Sequence, residues 1–164
     1  MTNESKIETD IIVKHVKVES TRSFESARHA FESIIPKLDP SVLALLSEGH
    51  AERAKSLLES GPELSIFQSR DHGGVLQMAG LFRKALQYDV GNPLTASKMT
   101  RHRLSAALYA PFRVLLYENE WGNAVFEYDK PSSLFGQFGD ERVANVARGL
   151  DTAIERALKH VDDT

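Results

Sequence analysis

The sequence predicts a single α+β domain in which helices pack on a largely antiparallel sheet. Three observations lead to this fold class. Segments with a strand pattern alternate with segments with a helical pattern, two neighbouring strand segments are joined by a short turn, and the chain ends in a long amphipathic stretch. The 164 residues suit one domain that is long enough to bury a core.

The composition excludes several classes of protein. Twenty Lys and Arg against 23 Asp and Glu give a net charge of −3, so there is no basic excess to neutralise nucleic-acid phosphates. The absence of cysteine excludes disulfides, thiolate metal sites and a cysteine nucleophile. No stretch approaches the roughly 20 apolar residues of a membrane helix, and the start lacks a signal-peptide pattern. We therefore expect a soluble, cytoplasmic protein that binds neither nucleic acid nor membranes.

The first part of the chain predicts a strand followed by helices. Residues 1–10 are polar and acidic, which is typical of a flexible N-terminus, and residues 11–20 are rich in the β-branched residues of a half-buried strand. Apolar residues then recur at helical spacing from Phe24 to Ile34, after a capping Thr21 or Ser23. A helical insert is expected at about 38–63, where Asp39-Pro40 gives a strong start signal and Gly49 divides two apolar patches.

The second part predicts the rest of the sheet and a final helix. We expect strands at 64–69 and 84–90, short helical turns at 75–82 and 103–111, a helix at 93–102, a hairpin of 112–118 and 124–130, and a loop at 131–140. The first hairpin strand is apolar on nearly both faces, which predicts a central position. Asp140 caps a last helix whose apolar stripe runs from Val143 to Val161.

The Gly91-Asn92-Pro93 turn is the first candidate binding site. Asn92 suits a helix N-cap, Pro93 suits the first helical position, and Gly91 permits close approach of a ligand to the backbone. The positive end of this helix is predicted to hold a carboxylate or phosphate on the backbone amides of Leu94, Thr95 and Ala96. The alternative is an ordinary helix start, in which the Asn92 side chain accepts hydrogen bonds from these amides itself.

The dipeptide Asp71-His72 is a candidate for catalysis. A histidine beside a carboxylate can act as a general base or metal ligand, because its pKa lies near neutrality. The alternative is structural, with Asp71 capping the following turn. No pair of histidines has metal-ligand spacing, so we expect neither a metal nor another cofactor.

Arg113 is a third candidate, because it begins an otherwise apolar strand. A charge in such a position needs a partner. Glu127 on the other hairpin strand can supply one, which would make a structural ion pair. The alternative is that Arg113 clamps the anionic ligand.

Three segments resemble the domain of unknown function 302 family: IFQSRDHGGVLQMAGL, DVGNPLTASKM and LYAPFRVLLYENEWGNAVFEYDKPSSL. The resemblance places Asp71-His72 at the family's Asp-His motif, Gly91-Asn92-Pro93 at its Gly-Asn-Pro motif, and Arg113 at its basic hairpin position. It covers roughly residues 11–160. It implies a compact α+β fold that often forms homodimers, and it implies no established activity.

The function expected from the sequence is therefore a homodimeric module that binds a small anionic or polar ligand near Gly91-Asn92-Pro93. One alternative is an enzyme in which His72 is the general base and Asp71 orients it. Another is a dimeric scaffold without a small ligand. These hypotheses make the position of His72 relative to the Gly91 turn the informative observation.

Overall fold

A five-stranded antiparallel sheet organises the protein in a computed structural model, which describes residues 5–164. The strands are β1 (His15–Ser23), β2 (Ser65–Asp71), β3 (Ala85–Gly91), β4 (Phe112–Glu118) and β5 (Asn123–Asp129). Their order across the sheet is β1-β5-β4-β3-β2. The predicted α+β fold class is confirmed, and the apolar strand β4 lies at the centre as its sequence predicts.

Helices occupy most of the chain between and after the strands. They are α1 (Phe24–Ile34), α2 (Pro40–Ser47), α3 (Ala51–Ser60), α4 (His72–Leu76), α5 (Pro93–Thr100), α6 (Pro131–Phe135) and α7 (Glu141–Asp163), with 3₁₀ turns at Gln77–Ala79, Leu104–Tyr109 and Gly136–Phe138. The predicted caps are confirmed, since the side chains of Ser23, Asp39 and Asp140 each accept a hydrogen bond from a first-turn amide. The stretch 38–63 divides into α2 and α3 at Gly49, whose φ of 81° lies in the left-handed region.

The core lies between one face of the sheet and the helices α1 and α7. Phe31 of α1 packs against Tyr88 of β3 and Phe126 of β5, with ring centroids 5.0 and 5.3 Å apart. The apolar stripe of α7 is buried in the same layer, including Ile154. Because side chains alternate between the faces of a strand, the remaining strand positions form a second face. We call it the open face; its central positions are Gln87, Asp89, Arg113, Leu115, Glu127 and Asp129.

The prediction of a loop at 131–140 is wrong, because this segment contains α6 and a 3₁₀ turn. Pro131 occupies the first helical position of α6, and the amide of Ser132 donates a 2.9 Å hydrogen bond to Asp151 Oδ1. Asp151 belongs to α7 and is 7% exposed. The cap of α6 therefore comes from a distant element, which a local sequence pattern does not reveal.

The start of β1 near the N-terminus also differs from the prediction. β1 begins at His15 rather than at residue 11, and residues 5–14 form neither helix nor strand. The flexible terminus predicted for residues 1–10 falls partly on residues 1–4, which lie outside the described part of the chain.

None of the helices formed by residues 5–164 combines the length and the hydropathy needed to cross a membrane.

Candidate functional site

The two motifs singled out in the sequence lie at opposite ends of the β2–β3 pair. Asp71 pairs with Leu86, whereas Gly91 pairs with Ser65. At about 3.3 Å per residue, the five steps from residue 86 to residue 91 correspond to roughly 17 Å. His72 and the Gly91 turn line different cavities, so the motifs do not share one site.

Asp71 is engaged as a helix cap. Its Oδ1 accepts a 2.9 Å hydrogen bond from the amide of Gly74 in the first turn of α4. His72 is exposed, and residues 5–164 offer its ring no hydrogen-bond or ion-pair partner. The structural interpretation of Asp71 thus agrees with the geometry, and Asp71 does not orient the His72 ring as the enzyme hypothesis requires.

The amides that follow Pro93 are also engaged within the chain. Asn92 Oδ1 accepts from the amides of Leu94 and Thr95 at 2.9 and 3.4 Å. The amide of Ala96 donates to the Asn92 carbonyl oxygen at 2.9 Å. This arrangement matches the ordinary helix start that was the alternative interpretation of the motif, because each amide already has an acceptor.

The same turn nevertheless lines a cavity. We call it the Gly91 pocket; it has a volume of 110 Å³, and one wall is formed by Gly91, Asn92, Pro93, Thr95 and Ala96. Other lining residues include Phe67, Met99, Phe135 and Leu150. A Cβ atom on Gly91 would lie 3.4 Å from Phe67 Cε2, which shows how closely the aromatic ring approaches the turn. The pocket therefore suits an apolar group.

Arg113 lies on the open face and does not pair with Glu127. The register of the hairpin places Leu115, not Arg113, opposite Glu127. Glu127 Oε1 lies 2.8 Å from Nε2 of His15 instead. The Arg113–Glu127 ion pair, one of the two interpretations of this arginine, is therefore not formed, and the arginine is exposed.

Two aspartates line the groove that holds Arg113, and both are engaged elsewhere. This Arg113 groove has a volume of 400 Å³ and includes Asp89 and Asp129. Arg70 donates two 2.9 Å hydrogen bonds to the Asp89 carboxylate, and Asp129 Oδ1 lies 3.0 Å from Nδ1 of His15. Within residues 5–164, no carboxylate oxygen lies within 4.0 Å of the Arg113 guanidinium. Its charge is therefore available to a ligand.

The Arg113 groove and the Gly91 pocket share three lining residues. Ala110, Pro111 and Phe112 line both cavities. The predicted residues Gly91, Asn92, Pro93, Thr95, Ala96 and Arg113 thus come together around one pair of cavities. Leu94 contributes its amide to the Asn92 cap but does not line the pocket.

His15 contacts two carboxylates beside these cavities, and the sequence reasoning missed it. Both of its ring nitrogens contact carboxylates of β5, and these hydrogen bonds to Glu127 and Asp129 raise the pKa of His15 above its ordinary value. The same contact with His15 lowers the pKa of Glu127. The i, i+2 spacing of Glu127 and Asp129 shows that they share a face, but only the pairing of β1 with β5 brings His15 between them.

In the described chain, no group of three or more His, Asp or Glu side chains is placed to hold a metal ion.

Comparisons with known proteins concern the family and the fold. The family model described as "Domain of unknown function DUF302" matches residues 48–161. The crystal structure of the uncharacterized conserved protein DUF302 from Bacillus stearothermophilus is similar, with a TM-score of 0.65 at 16% identity over 89% of this chain and 96% of that chain. At this identity the likeness shows the fold alone. No curated protein matches the chain.

Proposed function

Because this chain belongs to the DUF302 family, whose name gives no activity, we propose from its own geometry that it is a binding module for a small organic anion. The ligand is a compact carboxylate with a branched apolar body. Its carboxylate contacts Arg113, and its apolar body enters the Gly91 pocket. This proposal keeps the ligand class expected from the sequence but assigns the anion to the guanidinium rather than to the helix amides.

The observation that carries the proposal is the unpaired charge of Arg113 among the described residues. A guanidinium binds a carboxylate through two parallel hydrogen bonds, which gives both affinity and orientation. Asp89 and Asp129 already have Arg70 and His15 as partners. A ligand carboxylate therefore gains the Arg113 contact without displacing an ion pair of the protein.

The size of the Gly91 pocket supports the choice of ligand. Its 110 Å³ is smaller than the cavity of about 150 Å³ that accepts benzene in another protein. A branched alkyl group of a few carbons suits this volume better than an aromatic ring. Each buried methylene contributes about 0.8 kcal/mol, so the alkyl group adds affinity that a bare anion lacks.

A dimeric scaffold is the second candidate function, and one observation favours it. Met78 and Phe82, which follow α4, are 85% and 86% exposed, and Val75 and Leu81 beside them are at least half exposed. A cluster of exposed apolar side chains is typical of a protein contact. Sedimentation that shows a monomer at high concentration would exclude this candidate. Homodimerisation and a cytoplasmic location, which were expected from the sequence, stay predictions.

An NMR titration with 3-methylbutanoate tests the binding function. We expect amide shifts at residues 91–96 and 110–113, and weaker binding of the uncharged 3-methylbutanol. Arg113→Gln should weaken 3-methylbutanoate binding by about tenfold or more, because it removes a charge-assisted contact. Arg53→Gln, which changes an exposed arginine of α3, is the matched control and should leave binding unchanged. Equal binding of acid and alcohol would contradict the proposal.

A further inference from the structure

A second and larger cavity lies at the other end of the open face. We call it the His72 groove; it has a volume of 520 Å³, within the range of about 300–1,000 Å³ that is typical of small-molecule sites. Ala85, Leu115 and Tyr117 form its floor on the sheet, and Leu76 of α4 forms part of its wall. The groove thus offers an apolar surface with one aromatic ring.

Basic side chains gather at the mouth of this groove. His72 and Arg83 both line it, and among residues 5–164 neither has a carboxylate oxygen within 4.0 Å. The Arg83 guanidinium donates a 3.2 Å hydrogen bond to the backbone oxygen of Glu118, which holds the side chain but leaves its charge uncompensated. Lys84 adds a second positive charge beside Arg83, although its ammonium lies 3.7 and 3.8 Å from Glu25 and Glu118.

Among residues 5–164, Glu127 is the one carboxylate that lines the His72 groove, and it already has a partner. Glu127 Oε1 contacts His15 Nε2 at 2.8 Å and lies on β5, whereas His72 follows β2 and Arg83 precedes β3 at the other side of the groove. An anionic group placed between His72 and Arg83 therefore meets the guanidinium charge of Arg83 and an imidazole that can donate a hydrogen bond.

A glycine contact fixes the two basic residues beside each other. A Cβ atom on Gly73 would lie 2.2 Å from the backbone oxygen of Arg83, which is far closer than any side chain permits. The backbone of α4 therefore packs directly on the segment that leads into β3. This close approach places His72 and Arg83 at the same mouth, so their arrangement is built into the fold.

We infer that the His72 groove is a second binding site, which takes a flat ring compound with an oxyanion substituent. The ring lies on Leu115 and Tyr117, and the oxyanion contacts His72 and Arg83. A carboxylate and a phosphate monoester share this chemistry. The site is separate from the Arg113 groove, because the two cavities have no lining residue in common.

Four probes test this inference by NMR titration: benzoate, phenyl phosphate, benzyl alcohol and inorganic phosphate. We expect shifts at the amides of Ala85, Gln87, Leu115 and Tyr117 with one or both aromatic anions. Benzyl alcohol and inorganic phosphate each lack one half of the recognised group, so we expect them to bind at least about tenfold more weakly than the better aromatic anion. The preference between benzoate and phenyl phosphate identifies the oxyanion.

Arg83→Gln and, separately, His72→Gln should each weaken binding of the better aromatic anion, whereas Arg53→Gln should not. An unchanged amide spectrum elsewhere confirms that each variant is folded. Arg113→Gln should leave binding of the aromatic anion intact. The two proposals can therefore fail independently, because Arg113→Gln tests only the Arg113 groove and Arg83→Gln tests only the His72 groove. Equal affinity for benzyl alcohol, shifts confined to other surfaces, or full binding by Arg83→Gln would each overturn the inference.

Discussion

Asp89 lies directly opposite Arg113 in the pairing of β3 with β4, yet the Asp89 carboxylate is bound by Arg70. The Asp89 side chain is only 14% exposed, and Arg70 holds it through both oxygens. The arginine that faces Asp89 across the strands is thereby left without this partner. The proposed ligand site depends on this relationship, because a free Asp89 would compete with any ligand carboxylate for Arg113.

Arg70→Gln tests this dependence away from the ligand itself. Without Arg70, Asp89 is expected to turn to Arg113, and binding of 3-methylbutanoate should weaken by about tenfold, as for the loss of a charge-assisted contact. Adding Asp89→Asn to Arg70→Gln removes the competitor and should restore binding. NMR titration of both variants with 3-methylbutanoate measures the effect. Normal binding by Arg70→Gln alone would show that Asp89 does not compete with the ligand for Arg113.

The contacts of His15 predict a pH-dependent contribution to stability. A histidine pKa that is raised in the folded state stabilises the fold fully below the unfolded value of 6.5, and the effect is lost as pH rises through the folded pKa. Because the His15 side chain is 58% exposed, solvent screening limits the effect to about 0.5 kcal/mol. NMR titration should give a His15 pKa above 6.5 that falls in Glu127→Gln and in Asp129→Asn. A value at or below 6.5 would contradict the paired geometry.

Two glycines should respond differently to alanine. Gly73→Ala places a methyl group 2.2 Å from the Arg83 backbone oxygen, so we expect a loss of about 2–4 kcal/mol in the free energy of unfolding. Gly91→Ala places its methyl group 3.4 Å from Phe67, an ordinary contact, so the change should stay within about 1 kcal/mol. Urea denaturation of both variants measures the difference. Similar losses would show that α4 does not pack on the Arg83 backbone as described.

Asp151 should stabilise α6 through its hydrogen bond with the Ser132 amide. Asp151→Ala removes the acceptor of the Ser132 amide and leaves a gap in a buried position, so we expect a loss of about 1–3 kcal/mol. Asp151→Asn keeps an acceptor oxygen and should lose less than half as much. Thermal unfolding monitored by circular dichroism compares the stability of the two variants. If Asp151→Asn and Asp151→Ala lose the same free energy of unfolding, the hydrogen bond to Ser132 contributes nothing.

Much of the fold follows from local patterns in the sequence. The cap at Asp39, the helical spacing from Phe24 to Ile34 and the apolar stripe of α7 each depend on residues within one or two helical turns. The hairpin of β4 and β5 likewise follows from two strand patterns and a short turn. These elements were predictable because the interactions that specify them are close in sequence.

The parts that were not predictable depend on long-range pairing. α6 requires a carboxylate from α7, so the sequence of 131–140 alone resembles a loop. The ion pair of Glu127 with Arg113, one of the two interpretations of that arginine, is not formed, because Arg113 lies two residues away from the position that faces Glu127. In the actual register Leu115 lies opposite Glu127, and His15 reaches it from β1. The sequence identified the residues around the Gly91 pocket but not the apolar character of that pocket.

The most direct measurement is a crystal structure of the protein soaked with 3-bromobutanoate, a compact carboxylate whose bromine is located by anomalous scattering. The proposal predicts the bromine inside the Gly91 pocket and the carboxylate oxygens about 3 Å from the Arg113 guanidinium. The Arg70–Asp89 pair should remain in place in that complex. A fully bound ligand elsewhere, or an empty Gly91 pocket at concentrations that saturate binding in solution, would contradict the account.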